Sequence, residues 1–101
     1  MKVIYTEQSL DSLEESLHFL IEEQELPLEK VLAIKTQLLD RADSLVTYSK
    51  TGQIEEYLEH LDKEHRRLIE GYFKIIYRIE GELIYITDFF DTRQNPEKMK
   101  G

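Results

Sequence analysis

A cluster of basic side chains between residues 65 and 78 is the part of this chain best suited to chemistry on a phosphate. The cluster comprises one histidine and four cations, namely His65, Arg66, Arg67, Lys74 and Arg78. Cleavage of a phosphodiester needs a base that activates the attacking hydroxyl, an acid that protonates the leaving oxygen, and cations that stabilise the charged phosphorane. Arg67, Lys74 and Arg78 are the candidate cations for such a site. His65 is the candidate acid or base.

The spacing of these cations predicts that they share one face of a strand. Apolar side chains alternate with them at Phe73, Ile75, Tyr77 and Ile79. A strand with this pattern turns its apolar side chains towards a core and presents Lys74, Ile76 and Arg78 as a basic strip facing solvent. The strip suits an anionic target or an acidic partner. The simpler interpretation, that the solvent face of any half-buried strand carries Lys and Arg, stays open.

The other titratable residues give weaker signals. Arg93 follows the last apolar run, where it is placed to contact a target or to pair with Asp88 or Asp91. The acid-rich stretch before the basic cluster is expected to form a solvated face, and it contains Glu55, Glu56, Glu59, Asp62 and Glu64. The three histidines lack metal-ligand spacing and the chain has no cysteine. We therefore expect no metal site, no cofactor and no disulfide.

Composition and charge narrow the class of protein. The chain has 101 residues and a formal net charge of −8, which argues against indiscriminate binding to a polyanion, so we expect no direct DNA binding by this chain alone. No apolar stretch approaches the roughly 20 residues that span a bilayer. We therefore expect a single domain over residues 1–101, located in the cytoplasm and without membrane contact.

The first half of the sequence predicts a strand followed by two helices. Residues 2–5 have strand character, and Thr6 is a suitable cap for a first helix that ends near Gln24. Pro27 fits the first turn of a second helix, whose apolar face continues to Val46. The connection between the two helices is short, which favours an antiparallel helical hairpin. Residues 48–53 are predicted to form a loop. The helical spacing of Ile54, Tyr57, Leu58 and Leu61 then favours a partly helical linker, with a long connection that crosses to the sheet and uses the same residues as anchors as the alternative.

The last third predicts a three-stranded antiparallel meander. Turns at Gly71 and Gly81 separate three runs rich in β-branched and aromatic residues. The helical hairpin is the natural cover for the apolar face of this meander. The expected fold is thus an α+β sandwich with helices on one face of a four-stranded, mostly antiparallel sheet. The first strand is expected at an edge or beside the last strand.

The order of elements and two segments together resemble a known family. The segments are Tyr-Phe-Lys-Ile-Ile-Tyr-Arg-Ile at residues 72–79 and Ile-Thr-Asp-Phe-Phe-Asp-Thr-Arg at residues 86–93. They are similar to the RelE/ParE superfamily of toxins from type II toxin–antitoxin modules, which includes plasmid-stabilisation proteins. The resemblance covers almost the whole chain. It implies a RelE/ParE-like sandwich and a cognate antitoxin that wraps around the toxin.

Two functions follow from this resemblance. RelE-like members cleave messenger RNA on the ribosome, while ParE-like members inhibit DNA gyrase and thereby replication. Lys74 matches a strand position that is often basic and catalytic in the ribonuclease branch. The C-terminal acid or base of that branch, a Tyr or His, is missing, since residues 88–91 read Asp-Phe-Phe-Asp. The resemblance therefore favours a ParE-like gyrase inhibitor, with a ribosome-dependent ribonuclease or a non-toxic member of the fold as alternatives.

The antitoxin interface is expected to combine apolar burial with basic side chains, because an acidic antitoxin segment would meet an acidic toxin. The residues expected to contact the antitoxin or the target are Arg66, Arg67, Lys74, Arg78 and Arg93.

Overall fold

A five-stranded sheet forms the centre of the computed structural model, which describes residues 1–101. The strands are β1 (Lys2–Tyr5), β2 (Gln53–Ile54), β3 (Arg66–Glu70), β4 (Phe73–Glu80) and β5 (Leu83–Asp91). The helices are α1 (Glu7–Glu22) and α2 (Leu28–Asp43). Short 3-10 helices occupy Ser44–Val46, Glu56–Leu61 and Pro96–Lys98. The α+β sandwich is confirmed.

The strand order is β1-β5-β4-β3-β2. β3, β4 and β5 form the predicted antiparallel meander, and β1 pairs with β5 in parallel at the edge of the sheet. The expectation of four strands was wrong by one. The additional strand, β2, has only two residues and pairs with Arg66 and Arg67 at the opposite edge. A pairing this short carries no periodicity that a sequence pattern can show.

Two tight turns fix the register of the meander. Glu70 pairs with Phe73, and Glu80 pairs with Leu83, so each hairpin loop has two residues. Gly71 and Gly81 open these loops with φ of 59° and 58°. A positive φ at the first loop position is the requirement of a type II′ turn, which glycine meets without strain.

α1 begins and ends with recognisable capping contacts. Thr6 is the N-cap, and its hydroxyl accepts a hydrogen bond from the Ser9 N–H at 3.2 Å. At the other end Glu25 takes a left-handed conformation with φ of 53°, and the Leu26 N–H donates to the Leu20 carbonyl. This contact turns the chain towards α2, and α1 ends two residues before the predicted boundary.

α2 is shorter and less buried than its sequence predicts. It ends at Asp43 and gives way to a 3-10 helix over Ser44–Val46. Within α2 the buried residues are Val31, Leu38 and Ala42. Leu28 and Leu32, which the helical pattern places on the core face, are 60% and 51% exposed. The apolar stripe of α2 is therefore wider than the part of it that the sheet covers.

The main core lies between the helices and one face of the sheet, here called the helix-side face. Its sheet residues are Leu68, Phe73, Ile75, Tyr77, Ile84, Ile86 and Phe89. The Tyr77 hydroxyl also donates to the Ser49 carbonyl at 2.8 Å and accepts from the Gly52 N–H at 3.0 Å. Tyr77 thus ties the loop after α2 to the sheet while its ring fills the core.

β5 contains one more residue than the part of β4 it pairs with. Ile76 pairs with Asp88 whereas Tyr77 pairs with Ile86, so Thr87 has no partner in the ladder. Such a β-bulge shifts the alternation of side chains by one position. As a result, even-numbered residues of β5 enter the helix-side core before the bulge, and Phe89 enters it afterwards.

The opposite face of the sheet, here called the linker-side face, is also covered. A second apolar cluster joins Ile76 and Phe90 to Leu58 of the 3-10 helix Glu56–Leu61 and to Met99 of the C-terminal segment. Ile76 is fully buried. The prediction that Lys74, Ile76 and Arg78 face solvent was wrong, because two segments without strong periodicity fold over this face.

None of the helices combines the length and the apolarity needed to cross a bilayer.

Candidate functional site

The structure distributes the predicted site residues over both faces of the sheet. Arg66 pairs with Tyr77 across the ladder, whereas Arg67 pairs with Ile76. Successive residues of a strand point to opposite faces, so Arg66 belongs to the helix side and Arg67 to the linker side. Lys74 and Arg78 also belong to the linker side. The four cations therefore form no single strip.

A buried carboxylate organises the linker-side cations. Glu55 is 3% exposed, which overturns its assignment to a solvated acidic face. Its Oε1 lies 2.8 Å from Lys74 Nζ and 3.6 Å from Arg67 Nη1, and its Oε2 accepts the Tyr57 N–H. Burial raises the pKa of this carboxyl, but the bonds from Lys74 and Tyr57 outweigh it and hold the pKa below its usual range.

The other four acids of that stretch, Glu56, Glu59, Asp62 and Glu64, are exposed as predicted. Glu55 differs because it immediately follows β2, and the pairing of β2 with β3 carries it over the sheet. No periodicity in the sequence distinguishes Glu55 from its acidic neighbours.

The two arginines of β3 hold the edge of the sheet together. Arg66 donates to the Gly52 carbonyl at 2.8 Å. Arg67 donates to the Ile54 carbonyl at 2.6 Å and to the Gln53 side chain at 3.2 Å. Both guanidinium groups therefore satisfy backbone carbonyls around β2, which stabilises a strand too short to persist on its ladder bonds alone.

Arg78 is engaged at the far end of β4. It forms an ion pair with Glu80, and its guanidinium lies 4.5 Å above the centroid of the Tyr85 ring. The face of an aromatic ring attracts a cation in this position.

His65 is buried beneath the linker and the C-terminal segment. It is 2% exposed, and neither ring nitrogen has a hydrogen-bond partner. The backbone of Gly101 lies against the imidazole and against Leu61. Burial lowers the pKa of His65, and the nearby charges of Arg78, Lys63 and His60 lower it further. In this structure a substrate has no direct access to the imidazole.

Arg93 forms an ion pair with Asp91 and not with Asp88. Its Nε and Nη2 donate to the two carboxylate oxygens at 3.0 and 2.8 Å, and its guanidinium stacks 4.7 Å from the centroid of the Tyr72 ring. Burial raises the pKa of Asp91, but the Arg93 bonds outweigh it and lower the pKa overall. Among the predicted binding residues that form ion pairs, Arg93 has the most exposed side chain, at 44%.

Asp88 has a role that the sequence pattern did not predict. It is buried, and it accepts the Lys100 N–H at 3.0 Å. The neighbouring Thr87 hydroxyl reaches the Lys100 carbonyl at 3.3 Å. Burial raises the pKa of Asp88 despite the bonds from Lys100 and Ser12. The bulge at Thr87 thus places two consecutive polar side chains where they fasten the C-terminal segment to the sheet.

Comparison with known proteins finds similar solved structures but no similar sequence. No family model matches the sequence, and no curated protein does. A solved chain described as "Chromosomal ParDE TA system from P. aeruginosa" is similar to this chain with a TM-score of 0.71 and 20% sequence identity. The match covers 90% of this chain and 95% of that chain. The RelE/ParE-like fold inferred from the two sequence segments is therefore confirmed.

Proposed function

We propose that this chain is the toxin of a type II toxin–antitoxin module, that it is of the ParE-like kind, and that it inhibits DNA gyrase. The observation that carries the proposal is the fold match to a chain of a ParDE system over nearly the full length of both chains. A cognate antitoxin that neutralises the protein by direct binding is part of the same proposal.

The contacts of the basic residues support a binding protein over a ribonuclease. Lys74 and Arg67 neutralise Glu55, Arg66 holds a backbone carbonyl, and Arg78 pairs with Glu80. A phosphorane needs cations and an acid–base group that can reach it. His65 is enclosed, and the cations of the linker-side face are already paired.

The test is to measure DNA synthesis and protein synthesis by pulse-labelling in bacterial cells within minutes of inducing the chain without an antitoxin. Gyrase inhibition predicts that DNA synthesis falls first. An earlier fall in protein synthesis would instead identify a ribosome-dependent ribonuclease, and normal rates of both would identify a non-toxic member of the fold.

A double variant separates binding from catalysis. Lys74→Ala alone leaves Glu55 buried without its closest partner, so loss of toxicity would be ambiguous. Replacing both members with apolar residues, as Glu55→Leu with Lys74→Met, removes the candidate catalytic cation without leaving that carboxylate unpaired. We expect this variant, once circular dichroism shows that it is folded, to keep its effect on DNA synthesis. Loss of toxicity in the folded variant would favour the ribonuclease.

A further inference from the structure

Residues 95–101, here called the strap, cross the linker-side face without pairing with any strand. Their regular structure is limited to the 3-10 helix Pro96–Lys98. Met99 is the one buried residue of the strap, and it packs in the linker-side apolar cluster. A segment that has no ladder bonds and buries a single apolar side chain is of the kind that opens locally while the rest of a fold stays intact.

Three hydrogen bonds to the backbone of Lys100 and Gly101 fasten the strap to the rest of the fold. The Lys100 N–H donates to Asp88 at 3.0 Å, and the Lys100 carbonyl accepts from the Thr87 hydroxyl at 3.3 Å. Gln8 Nε2 donates to the Gly101 carbonyl at 3.2 Å and also to the Thr87 carbonyl at 3.1 Å. The polar contacts are thus concentrated at two consecutive strap residues, which can detach together.

The same end of the strap packs on His65, whose ring nitrogens are the buried side-chain polar atoms without a hydrogen-bond partner. A methyl group added at Gly101 would lie 2.9 Å from Cε1 and Nε2 of the imidazole and 2.4 Å from a Leu61 methyl. The Gly101 backbone therefore lies directly against the ring edge that carries Nε2. A neutral imidazole leaves one N–H unsatisfied there, whereas an imidazolium would leave two N–H groups and a charge.

The charges that act on His65 disfavour its protonated form. They are Arg78 of β4 and, from the linker, Lys63 and His60. All three are cations or become cations when protonated, so an imidazolium among them is repelled as well as dehydrated.

The acids on the elements around His65 do not compensate these cations. Asp62 and Glu64 of the linker are exposed. Glu7 and Asp11 of α1 are also exposed, and they line a polar cavity of about 550 Å³ that Lys63, Arg78 and Gly101 share. Asp88 of β5 accepts the Lys100 N–H, while the Lys100 ammonium contacts the Ser12 hydroxyl at 3.2 Å. No ion pair of the structure includes His65.

We propose that the strap is a pH-sensitive switch: it covers the linker-side face while His65 is neutral, and protonation of the imidazole by solvent releases residues 99–101. Release lets water reach both ring nitrogens. It also uncovers Ile76 and Phe90, and it frees the side chains of Thr87 and Asp88. The chain therefore presents a different linker-side surface in mildly acidic and in neutral solution, whether or not it is a toxin.

The direction of the switch follows from the two environments of the imidazole. With the strap open the ring is hydrated, and we expect its ordinary pKa of 6.5, whereas burial and the nearby cations lower the pKa with the strap closed. The closed form is therefore fully favoured above pH 6.5, and the ratio of open to closed forms rises as the pH falls towards the lowered value. Because one proton is involved, the rise cannot exceed about tenfold per pH unit.

The two methionines of the chain allow a direct test, because Met99 lies in the strap and Met1 does not. In the full chain labelled with ¹³C at the methionine methyl groups, a soluble gadolinium chelate broadens each signal according to its exposure. Met99 is 8% exposed and Met1, the internal reference, is 45% exposed. From about pH 7.5 to about pH 5.5 we expect the broadening of Met99 to rise about threefold or more. That of Met1 should change less than about 1.5-fold, with an unchanged circular dichroism spectrum.

Two histidine variants identify the group that titrates. His65→Leu cannot be protonated, so the broadening of Met99 should be the same at both pH values. His60→Ala is the matched control at an exposed histidine, and it should keep the response of the wild type.

Two further variants test the contact from the other side. Gly101→Ala adds a methyl group against the imidazole and should expose Met99 already at about pH 7.5, without altering the body of the fold. Asp88→Asn keeps an acceptor for the Lys100 N–H but does not titrate. Burial raises the pKa of Asp88, so its own protonation favours the closed strap, and the variant should retain the response to acid.

Three results would overturn the inference: equal broadening of Met99 at the two pH values, a parallel rise at Met1, or a response that persists in folded His65→Leu. If His65→Leu does not fold, Gly101→Ala decides, because a strap as closed as in the wild type would show that Gly101 does not press on the ring. The measurement uses no antitoxin, gyrase or ribosome, so its outcome is independent of the proposed function.

Discussion

The two faces of the sheet are held by different physics. The helix-side face packs apolar side chains against α1 and α2, and its buried polar groups are the Tyr77 hydroxyl and, at the end of β5, Asp91 with its partner Arg93. The linker-side face buries four apolar residues together with Glu55, His65 and Asp88. Its cover consists of a 3-10 helix and a C-terminal segment instead of long helices.

Except for Asp91 at the end of β5, the charged groups buried on this sheet are covered by short segments that fold over its linker-side face. On the helix side, stabilisation scales with apolar area and each side chain acts almost independently. On the linker side, each buried charge depends on a specific partner, because an unpaired charge costs far more than a paired one. Single polar substitutions and changes of pH should therefore alter the free energy of unfolding mainly through the linker-side face.

The largest effect is expected from truncation on the helix-side face. Phe89 is 1% exposed, and its ring stacks with Tyr5 at a centroid distance of 6.3 Å. Phe89→Ala should lower the free energy of unfolding by about 3–5 kcal/mol. Urea denaturation followed by circular dichroism measures this change. Tyr48→Ala, at a ring that is 64% exposed, is the control and should stay within about 0.5 kcal/mol. Similar losses for both variants would contradict the described core.

The second effect belongs to the buried ion pair of the linker-side face. Glu55→Gln should lower the free energy of unfolding by about 2 kcal/mol. This is less than the cost of breaking a fully buried pair, because the Lys74 side chain is 24% exposed. Adding Lys74→Met should recover part of that loss, giving a coupling of about 1 kcal/mol or more in a double-mutant cycle.

The same pair sets a dependence on acid pH. The pKa of Glu55 is lowered in the folded protein, so its contribution to stability is complete above the unfolded pKa of 4.5 and is lost as the pH falls through the lowered value. Glu55→Gln should remove that part of the acid dependence of the unfolding free energy. Additive single variants with an unchanged acid dependence would show that Glu55 and Lys74 do not interact.

The sequence predicted the helix-side face far better than the linker-side face. The alternation of Phe73, Ile75 and Tyr77 and the helical spacing of Leu13, Leu17 and Leu20 are local patterns, and the buried core follows them. The position of Glu55 depends on a two-residue strand pairing with residues 66 and 67, which no local pattern records. The candidate cations were found by type, but their partners Gly52, Glu55 and Glu80 appear only in the folded structure.

A third effect concerns His65 and the pH range above that of Glu55. The lowered pKa of His65 means that its neutral form is favoured in the folded protein. The contribution of His65 to the free energy of unfolding is therefore complete above the unfolded pKa of 6.5 and declines as the pH falls towards the lowered value. His65→Leu should flatten the unfolding free energy between about pH 7 and pH 5. His60→Ala, at an exposed histidine, should leave the slope unchanged. Equal slopes in the wild type and His65→Leu would show that the imidazole reaches water.

The smallest effect is expected at the contact between His18 and Glu22, which lies on neither face of the sheet. His18 Nδ1 lies 3.1 Å from Glu22 Oε1, a distance close to the 2.8 Å between Lys74 and Glu55. The side chains of His18 and Glu22 are 71% and 63% exposed, however, and water screens their interaction. His18→Ala should therefore change the free energy of unfolding by about 0.5 kcal/mol or less. A loss as large as that of Glu55→Gln would mean that distance, and not burial, sets the strength of these contacts. It would contradict the expectation that charged contacts on the linker-side face contribute more to stability than those on the exposed surface.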